Sequence, residues 1–260
     1  MFSKEKLFLL AGPCAIENED ITLRTAEFLV KLTDKLDIPY VFKASYRKAN
    51  RTKSSSFTGI GDEKALKLLR KVRFEFDIPV VTDIHESSEA AIAAEYVDVL
   101  QIPAFLFRQT NLLRAAGETG KVVNIKKGQF AAAEAMEFAA KKVLETGNSQ
   151  VLLTERGNMF GYGDMIVDYR NLVWMQKMGY PVIMDCTHSL QQPNNGSGVT
   201  GGLPQLIEPL AKAAVAVGVD GLFIETHPNP SKALSDGANM LPLHKIEELL
   251  TKLLRLKDSL

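Results

Sequence analysis

The sequence predicts a (β/α)8 barrel that forms a single domain over residues 1–260. Two patterns support this prediction. Eight short runs rich in Val, Ile, Leu and Phe recur along the chain with helix-like segments between them: FLLAGPC, YVFKAS, PVVTDIH, VLQIPA, VVNIKK, QVLLTERG, PVIMDCTH and GLFIETHP. Strands this apolar, alternating with amphipathic helices, indicate a parallel sheet covered by helices. Eight such units in roughly 250 residues fit a closed barrel.

A doubly wound open sheet is the alternative that the same alternation allows. The first apolar run is not followed by the G-x-G-x-x-G turn that marks a dinucleotide-binding sheet. The number of predicted strands also suits closure better than an open sheet. The sequence therefore favours the barrel.

The predicted helices carry their apolar residues on one face. In one of them the apolar positions are spaced i, i+3, i+4, i+7 and i+11, namely Ala65, Leu68, Leu69, Val72 and Phe76. The closing helix repeats this stripe with Ile246, Leu249, Leu250 and Leu253. Proline and glycine mark the element boundaries, with Pro39, Pro79 and Pro181 before strands and Gly120, Gly147 and Gly179 after helices.

Composition and charge limit the classes of function. Hydrophobic residues make up 46% of the chain and charged residues 24%, which is typical of a folded globular protein. Lys and Arg together number 31, as do Asp and Glu, so the net charge gives no general attraction to nucleic acid or to a membrane. The opening segment lacks a secretory signal and no long apolar run follows, so we expect a cytoplasmic protein with reduced cysteines.

Each predicted strand ends in residues that can do chemistry. They are Cys14, Lys43, Asp83 with His85, Gln101, Lys126 with Lys127, Glu155 with Arg156, His188, and Glu225. The carboxyl ends of the strands form the mouth of a (β/α)8 barrel, where barrel enzymes place their active sites. The sequence thus predicts an active site at this mouth.

Barrel closure brings strands seven, eight and one together, and their ends carry His188, Glu225 and Cys14. Nitrogen, oxygen and sulfur donors together suit Zn2+ or Fe2+, and Asp236 in the following loop could complete four ligands. Each residue alone also has a structural explanation, such as packing of a small apolar thiol for Cys14. For Cys186, packing is the favoured interpretation.

A second set of mouth residues is cationic. Lys43, Lys48, Arg51, Lys126 and Arg156 should point into one pocket of an otherwise neutral protein. Such a cluster predicts a substrate with several negative charges, most simply a phosphate. Lys53 and Lys127 are instead predicted to be solvated surface residues.

Longer strings in the chain resemble a known family. FKASYRKANRTK, LQIPAFLFRQTNLL, VNIKKGQF, TERGNMFGY, DCTHS and FIETHPNPSKALSDGANMLPL are similar to the 3-deoxy-D-manno-octulosonate-8-phosphate synthases, in order from about Leu10 to Leu243. These transferases condense phosphoenolpyruvate with arabinose 5-phosphate. The resemblance implies a cytoplasmic, homotetrameric barrel that supplies the acidic sugar of lipopolysaccharide.

The resemblance also implies roles for individual residues. It places phosphoenolpyruvate at Lys48, Lys126, Arg156 and the backbone near Ala104, with Lys43 and Gln101 beside it. It places arabinose 5-phosphate at Asn50, Arg51 and Thr52, with Asp83 and His85 near the sugar hydroxyls and Arg108 reaching from a neighbouring subunit. Thr52 stands where Ser is more common and keeps the hydroxyl.

AGPCAIE places the chain in the metal-dependent class of the family, because metal-independent members carry Asn in place of Cys14. The resemblance then implies a divalent metal, Zn2+ or Fe2+ with Mn2+ as an alternative. Its ligands are Cys14, His188, Glu225 and Asp236. Cys14, His188, Asp236 and Lys48 are the implied catalytic residues. The Gly-rich segment 194–202 is implied to be a lid.

Two other functions remain open at this point. The related synthase that uses erythrose 4-phosphate shares the barrel and a GPC motif, but KANR argues against it, since Asn50 stands where that relative has a KPR-type string. A non-catalytic barrel that binds a phosphate ligand is the second alternative. The full complement of ligands and cations weighs against it.

Overall fold

The computed structural model describes residue 2 and residues 5–51, 53–161, 163–193 and 200–260. The predicted barrel is confirmed: eight parallel strands coincide with the eight apolar runs. In chain order they are β1 Phe8–Gly12, β2 Tyr40–Lys43, β3 Val80–Asp83, β4 Val99–Ile102, β5 Val122–Lys126, β6 Val151–Glu155, β7 Val182–Asp185 and β8 Gly221–His227.

Parallel pairing runs from each strand to the next, and β8 pairs back onto β1 to close the barrel. In the closing pair, Phe8 lies opposite Gly221. A Cβ atom at position 221 would lie 2.3 Å from the Phe8 ring, so only glycine leaves room for this aromatic side chain. Because β8 pairs with β1, the open doubly wound sheet is excluded.

Helices surround the barrel and follow the strands in alternation. They are α1 Glu19–Lys35, α2 Asp62–Glu75, α3 Glu89–Ala94, α4 Thr110–Glu118, α5 Ala135–Leu144, α6 Arg170–Gln176, α7 Ile207–Val217 and α8 Ile246–Asp258. The stripes predicted on α2 and α8 pack against the outer face of the sheet. Among the described helices, none combines the length and apolar composition that a bilayer crossing requires.

Side chains inside the barrel change character along each strand. Near the amino-terminal ends they form a fully apolar layer made of Phe8, Leu10, Val41, Val81, Val99, Leu152, Ile183 and Phe223. Successive side chains of a strand alternate between its faces, so the residue two positions later points into the same interior. Those later residues are polar: Val41 is followed by Lys43, Val81 by Asp83 and Phe223 by Glu225.

Long connections at the carboxyl ends of β6 and β7 form two small antiparallel ribbons. Asn158–Met159 pairs with Met165–Ile166, and Gln191–Gln192 pairs with Gly201–Gly202. The ribbons stand beside the carboxyl mouth of the barrel. Residues 194–199 of the predicted lid lie outside the described residues, so only its last three residues, 200–202, can be placed.

Candidate active site

A cavity of about 390 Å³ lies at the carboxyl mouth of the barrel. Most of the residues predicted to bind substrate line it: Lys43, Lys48, Asn50, Arg51, Asp83, His85, Gln101, Ala104, Lys126 and Arg156. His188 and Asp236 line it as well. The cavity thus has the cationic lining that the strand ends predicted.

Lys43 stands at the end of β2 between two carboxylates. Its Nζ lies 2.8 Å from Glu225 Oε1 and 3.7 Å from Asp83 Oδ2, and all three side chains are buried. Burial opposes each charge, but the mutual attraction outweighs it and holds the pKa of both carboxyls well below their usual values. The pKa of Lys43 is correspondingly raised, so this group stays ionised throughout the physiological pH range.

A hydrogen-bonded chain crosses the floor of the cavity from this cluster. Gln101 Nε2 donates to Asp83 Oδ1 over 2.5 Å, and Asn124 Nδ2 donates to Gln101 Oε1 over 2.9 Å. Thr154 Oγ1 completes the chain by donating to Asn124 Oδ1 over 2.7 Å. Each polar atom in this buried row has a partner, which fixes the amide of Gln101 relative to the cations.

A second charged group joins β5 to β7. Lys126 Nζ lies 2.5 Å from Asp185 Oδ2, and His188 Nδ1 lies 2.8 Å from the same oxygen. Lys126 also sits 3.9 Å from the centre of the Phe223 ring, on top of the apolar layer. Burial lowers the pKa of Lys126, and Asp185 opposes that shift by attracting its positive charge.

Cys14, Glu225 and Asp236 form a possible metal site, since one donor atom from each lies within 4.8 Å of the others. Cys14 Sγ lies 3.2 Å from Asp236 Oδ2 and 2.9 Å from Ser235 Oγ. The fourth predicted ligand, His188, is adjacent but not part of this group, and its Nε2 is 3.4 Å from Glu225 Oε1.

The donor set fits a borderline cation such as a divalent transition metal ion. Burial and the nearby charge of Glu225 raise the pKa of Cys14 far above its usual value, so its thiolate form requires a cation to offset those charges. Lys43 already offsets part of the negative charge of Glu225. The site therefore contains one cationic side chain and the donor atoms for a metal cation.

Two backbone features help to position Cys14 and Asp236 at this site. A Cβ on Gly12 would lie 2.2 Å from the Lys43 carbonyl oxygen, so glycine allows β1 to press against β2 just before Cys14. Asp236 adopts the left-handed region with φ of 48°, which costs energy for a residue other than glycine. Such strain is typical of loops that hold a functional side chain in place.

The outer part of the cavity contains the residues predicted for the sugar phosphate. Arg51 donates from Nε to the Phe57 carbonyl oxygen over 2.9 Å and also contacts Ser235 through its guanidinium group. Asn50 is exposed at the rim. Thr52 lies outside the described residues, so its predicted role has no structural test.

Arg156 and Arg108 occupy different surroundings. The guanidinium of Arg156 is buried and donates to Gln191 Oε1 over 2.7 Å, which connects β6 to the second ribbon. Arg108 is exposed and does not line this cavity. This placement leaves open the prediction that Arg108 serves a neighbouring subunit.

The prediction that Lys127 is a solvated surface residue is wrong. Its side chain is fully buried beneath the first ribbon and donates to Asn158 Oδ1 over 2.7 Å and to the carbonyl oxygen of Gly128 over 3.2 Å. It also lies 3.4 Å from Glu155 Oε1. A lysine directly after a strand end can turn outward into loop backbone, and the sequence pattern does not distinguish this from exposure.

Sequence reasoning also missed Asp185 and Asn124. Both are completely buried polar residues inside apolar strands. Because a buried charge or amide needs a partner, such a residue in an otherwise apolar run is itself a signal. For Asp185, the spacing of three residues to His188 could have revealed the contact.

Comparison with known proteins identifies the family of this chain. Residues 3–260 match the model of the family described as DAHP synthetase I family. A protein of Koribacter versatilis named 2-dehydro-3-deoxyphosphooctonate aldolase is 52% identical over 257 residues, which cover 98% of this chain and 92% of that protein. A protein of Arabidopsis thaliana named 2-dehydro-3-deoxyphosphooctonate aldolase 1 is 51% identical, with coverage of 96% and 88%.

Proposed function

The chain belongs to the DAHP synthetase I family, and on that premise we propose that it condenses phosphoenolpyruvate with D-arabinose 5-phosphate and water. The products are 3-deoxy-D-manno-octulosonate 8-phosphate and inorganic phosphate. Relatives about 50% identical over nearly the whole chain carry the name of this activity. The alternative activity is that of the related synthase that uses the shorter aldose erythrose 4-phosphate. The names of these relatives do not favour it.

The observation that carries the proposal is the cationic lining of one cavity in a protein without net charge. Lys48, Lys126, Arg51 and Arg156 all face the cavity of about 390 Å³. Phosphoenolpyruvate and an aldose phosphate together bring at least four negative charges into this space. A substrate without charge would not use this concentration of cations, whereas phosphate and carboxylate groups can pair with them.

The reaction forms one carbon–carbon bond and, from water, one carbon–oxygen bond, and it breaks the carbon–oxygen bond to phosphate. Carbon 3 of phosphoenolpyruvate attacks the aldehyde carbon, water adds at carbon 2, and phosphate leaves with the oxygen that joined it to carbon 2. One proton of the water ends on the aldehyde oxygen and the other on the departing phosphate. Negative charge grows on the aldehyde oxygen and on the departing phosphate. Preorganised cations favour that change over the ground state, which is the source of catalysis in such a site.

Residues of this chain supply binding and orientation. We assign phosphoenolpyruvate to Lys126, Arg156 and Lys48, which surround the inner part of the cavity. Gln101, fixed by its chain of hydrogen bonds to Asn124 and Asp83, gives that part a rigid wall. Holding both substrates in reacting geometry lowers the entropic part of the barrier.

We further propose a divalent metal, Zn2+ or Fe2+ with Mn2+ as the alternative, held by Cys14, His188, Glu225 and Asp236. Such an ion supplies electrostatic stabilisation of developing negative charge. The close approach of Cys14, Glu225 and Asp236 supports the proposal. Placement of His188 Nε2 beside Glu225 supports it as the fourth ligand.

A homotetramer in the cytoplasm, with Arg108 serving the site of a neighbouring subunit, completes the proposal. Its support is the exposure of Arg108 outside the cavity of its own chain. Sedimentation of wild-type protein tests the subunit number. Mixing Arg108→Ala chains with Lys126→Met chains tests the shared site, because hybrids with one intact site should regain activity that neither parent shows.

The proposed reaction is tested by phosphate release from phosphoenolpyruvate. Release should require arabinose 5-phosphate, should stop after chelation, and should return on addition of Zn2+, Fe2+ or Mn2+. Release that is indifferent to chelation would keep the reaction and remove the metal. Binding of both substrates without release under any metal condition would make the chain a non-catalytic binding barrel.

A further inference from the structure

We propose that Asp185 is a positioning residue that couples the phosphoenolpyruvate-binding Lys126 to the metal-binding His188. The inference rests on the proposed function and deepens it. Asp185 lies at the end of β7, completely buried, and belongs neither to the predicted ligands nor to the residues that line the cavity. It therefore acts through its neighbours.

One carboxylate oxygen of Asp185 is fixed by the backbone. Oδ1 accepts the N–H groups of Thr187 over 3.1 Å and His188 over 2.8 Å, together with the Thr187 hydroxyl over 3.1 Å. Three donors on one buried oxygen leave the side chain a single orientation. The second oxygen, Oδ2, is thereby aimed at one place in the interior.

Oδ2 serves two functional side chains at once. Lys126 Nζ approaches to 2.5 Å and His188 Nδ1 to 2.8 Å, while Nζ and Nδ1 are themselves 3.4 Å apart. Because the ionised carboxylate of Asp185 can only accept, the imidazole meets this oxygen as a donor, with a proton on Nδ1. This contact turns Nε2 toward Glu225 Oε1, 3.4 Å away, at the position proposed for the fourth metal ligand.

The same contact places Lys126. Its ammonium group lies over the Phe223 ring with Oδ2 of Asp185 as its ion-pair partner. Without that partner, the ammonium group keeps the Phe223 ring and the 3.4 Å approach to His188 Nδ1 but loses its only ion pair among the described residues. Removing the Asp185 charge should thus disturb Lys126 and His188 together, although Lys126 ends β5 and His188 follows β7.

A matched control exists at the opposite end of β7. Asp220 is also a buried carboxylate, and its Oδ2 accepts the N–H of Val182 over 2.8 Å and a bond from Gln176 over 3.3 Å. It has no contact with the cavity residues. Asp220→Asn therefore makes the same chemical change next to the first residue of β7, away from the cavity.

The experiment compares Asp185→Asn and Asp220→Asn with wild type in two binding measurements that need no turnover. Calorimetry measures phosphoenolpyruvate binding in the presence of chelator, and visible absorption measures Co2+ binding to metal-free protein. We expect Asp185→Asn to weaken both affinities by about 10-fold to 100-fold, the range found for partners of metal ligands. Asp220→Asn should change neither affinity, whatever it does to stability.

Normal affinity for both ligands in folded Asp185→Asn would overturn the proposal, and so would the loss of only one affinity. If Asp185→Asn does not fold, Asp185→Glu takes its place, because a longer carboxylate keeps the charge but cannot keep both distances. It should then weaken both affinities, and unchanged values would again overturn the proposal. Failure of wild type to release phosphate would contradict the proposed function while leaving this comparison interpretable.

Discussion

The interior of the barrel has two layers on the same eight strands, one apolar and one charged. At the amino-terminal ends, Phe8, Leu10 and their neighbours form a dry apolar layer. Two residues further along the strands, the interior holds the buried ions Lys43, Asp83 and Glu225. Along a strand, the boundary between the two layers is the step from Val41 to Lys43 or from Phe223 to Glu225.

The difference separates stability from function. Apolar burial stabilises the fold by about 25 cal/mol per Å² removed from water. Buried ion pairs at best offset the cost of removing their charges from water, so they contribute little net stability. The ionic layer is therefore explained by what it binds, and the apolar layer by the stability that allows the ionic layer to exist.

The largest effect is expected in the apolar layer. Phe8→Ala removes a completely buried ring that fills the space beside Gly221, and should lower the free energy of unfolding by about 3–5 kcal/mol. Activity per folded molecule should stay near wild type, because Phe8 does not line the cavity. Urea unfolding and rates measured well below the transition give both values. Lost activity with unchanged stability would break the distinction between the layers.

The next effect is expected in the ionic layer, where a substitution should lower activity more than stability. Lys126→Met keeps the length and apolar contacts of the side chain but removes the charge over Phe223. We expect kcat/KM to fall by about 10²-fold to 10³-fold, as for the loss of one preorganised charge-stabilising group. The free energy of unfolding should fall by less than the about 3–5 kcal/mol expected for an unpaired buried charge, because His188 and the backbone still bond Asp185. Lys127→Met, at the buried neighbour outside the cavity, is the control expected to lower stability more than activity.

A smaller effect concerns acid stability at the edge of the ionic layer. Glu89 accepts bonds from the Tyr46 hydroxyl over 2.6 Å and the His85 N–H over 2.8 Å. Burial alone would raise its pKa, but the His85 side chain, 3.4 Å away, and these two bonds prevail and lower the pKa from 4.5 to about 2. Its contribution is complete above pH 4.5 and disappears as the pH falls through about 2.

Glu89→Gln should therefore remove part of the stability loss between pH 4.5 and pH 2, by at most about 1.4 kcal/mol per pH unit. Denaturant midpoints at pH 7, 4.5 and 3 in both proteins check this slope. Glu63→Gln, at an exposed i,i+4 pair with Lys67, serves as the comparison variant. An equal slope in wild type and Glu89→Gln would show that other carboxylates govern acid unfolding.

The smallest effect is expected outside the barrel altogether. Arg170 forms a surface ion pair with Asp168, and 75% of its side chain is exposed. Solvent screening makes such pairs weak, so Arg170→Ala should change the free energy of unfolding by less than about 1 kcal/mol. Thermal unfolding in low and high salt measures it. A loss as large as that of Phe8→Ala would contradict the ranking of buried against exposed contacts.

The sequence predicted the barrel well because the fold depends on a repeated pattern. Apolar strands, amphipathic helices and boundary residues such as Pro39 and Gly179 each report on local structure, and all agree. The strand ends also indicated which side chains would share the mouth, as Lys43 and Lys126 do. Those residues follow from strand direction and closure alone.

Contacts inside the site could not be predicted in the same way. Lys127 was placed in solvent because periodicity does not show that the loop after β5 folds over the side chain and supplies carbonyl oxygens. Asp185 was overlooked because its ion-pair partner Lys126 comes from another strand, β5, and because the spacing of three residues to His188 was not considered. Strand order shows which strand ends are neighbours but not the distances between their side chains. Those distances determine which carboxylate pairs with which cation.

One competition measures the central claim that the cationic mouth joins phosphoenolpyruvate to an aldose phosphate. Wild-type protein is given phosphoenolpyruvate with equal amounts of arabinose 5-phosphate and erythrose 4-phosphate, and the sugar acids are identified by mass. The account predicts a predominant eight-carbon product and one phosphate released per molecule formed. A predominant seven-carbon product would contradict the assigned aldose, and the absence of either product would contradict the proposed condensation.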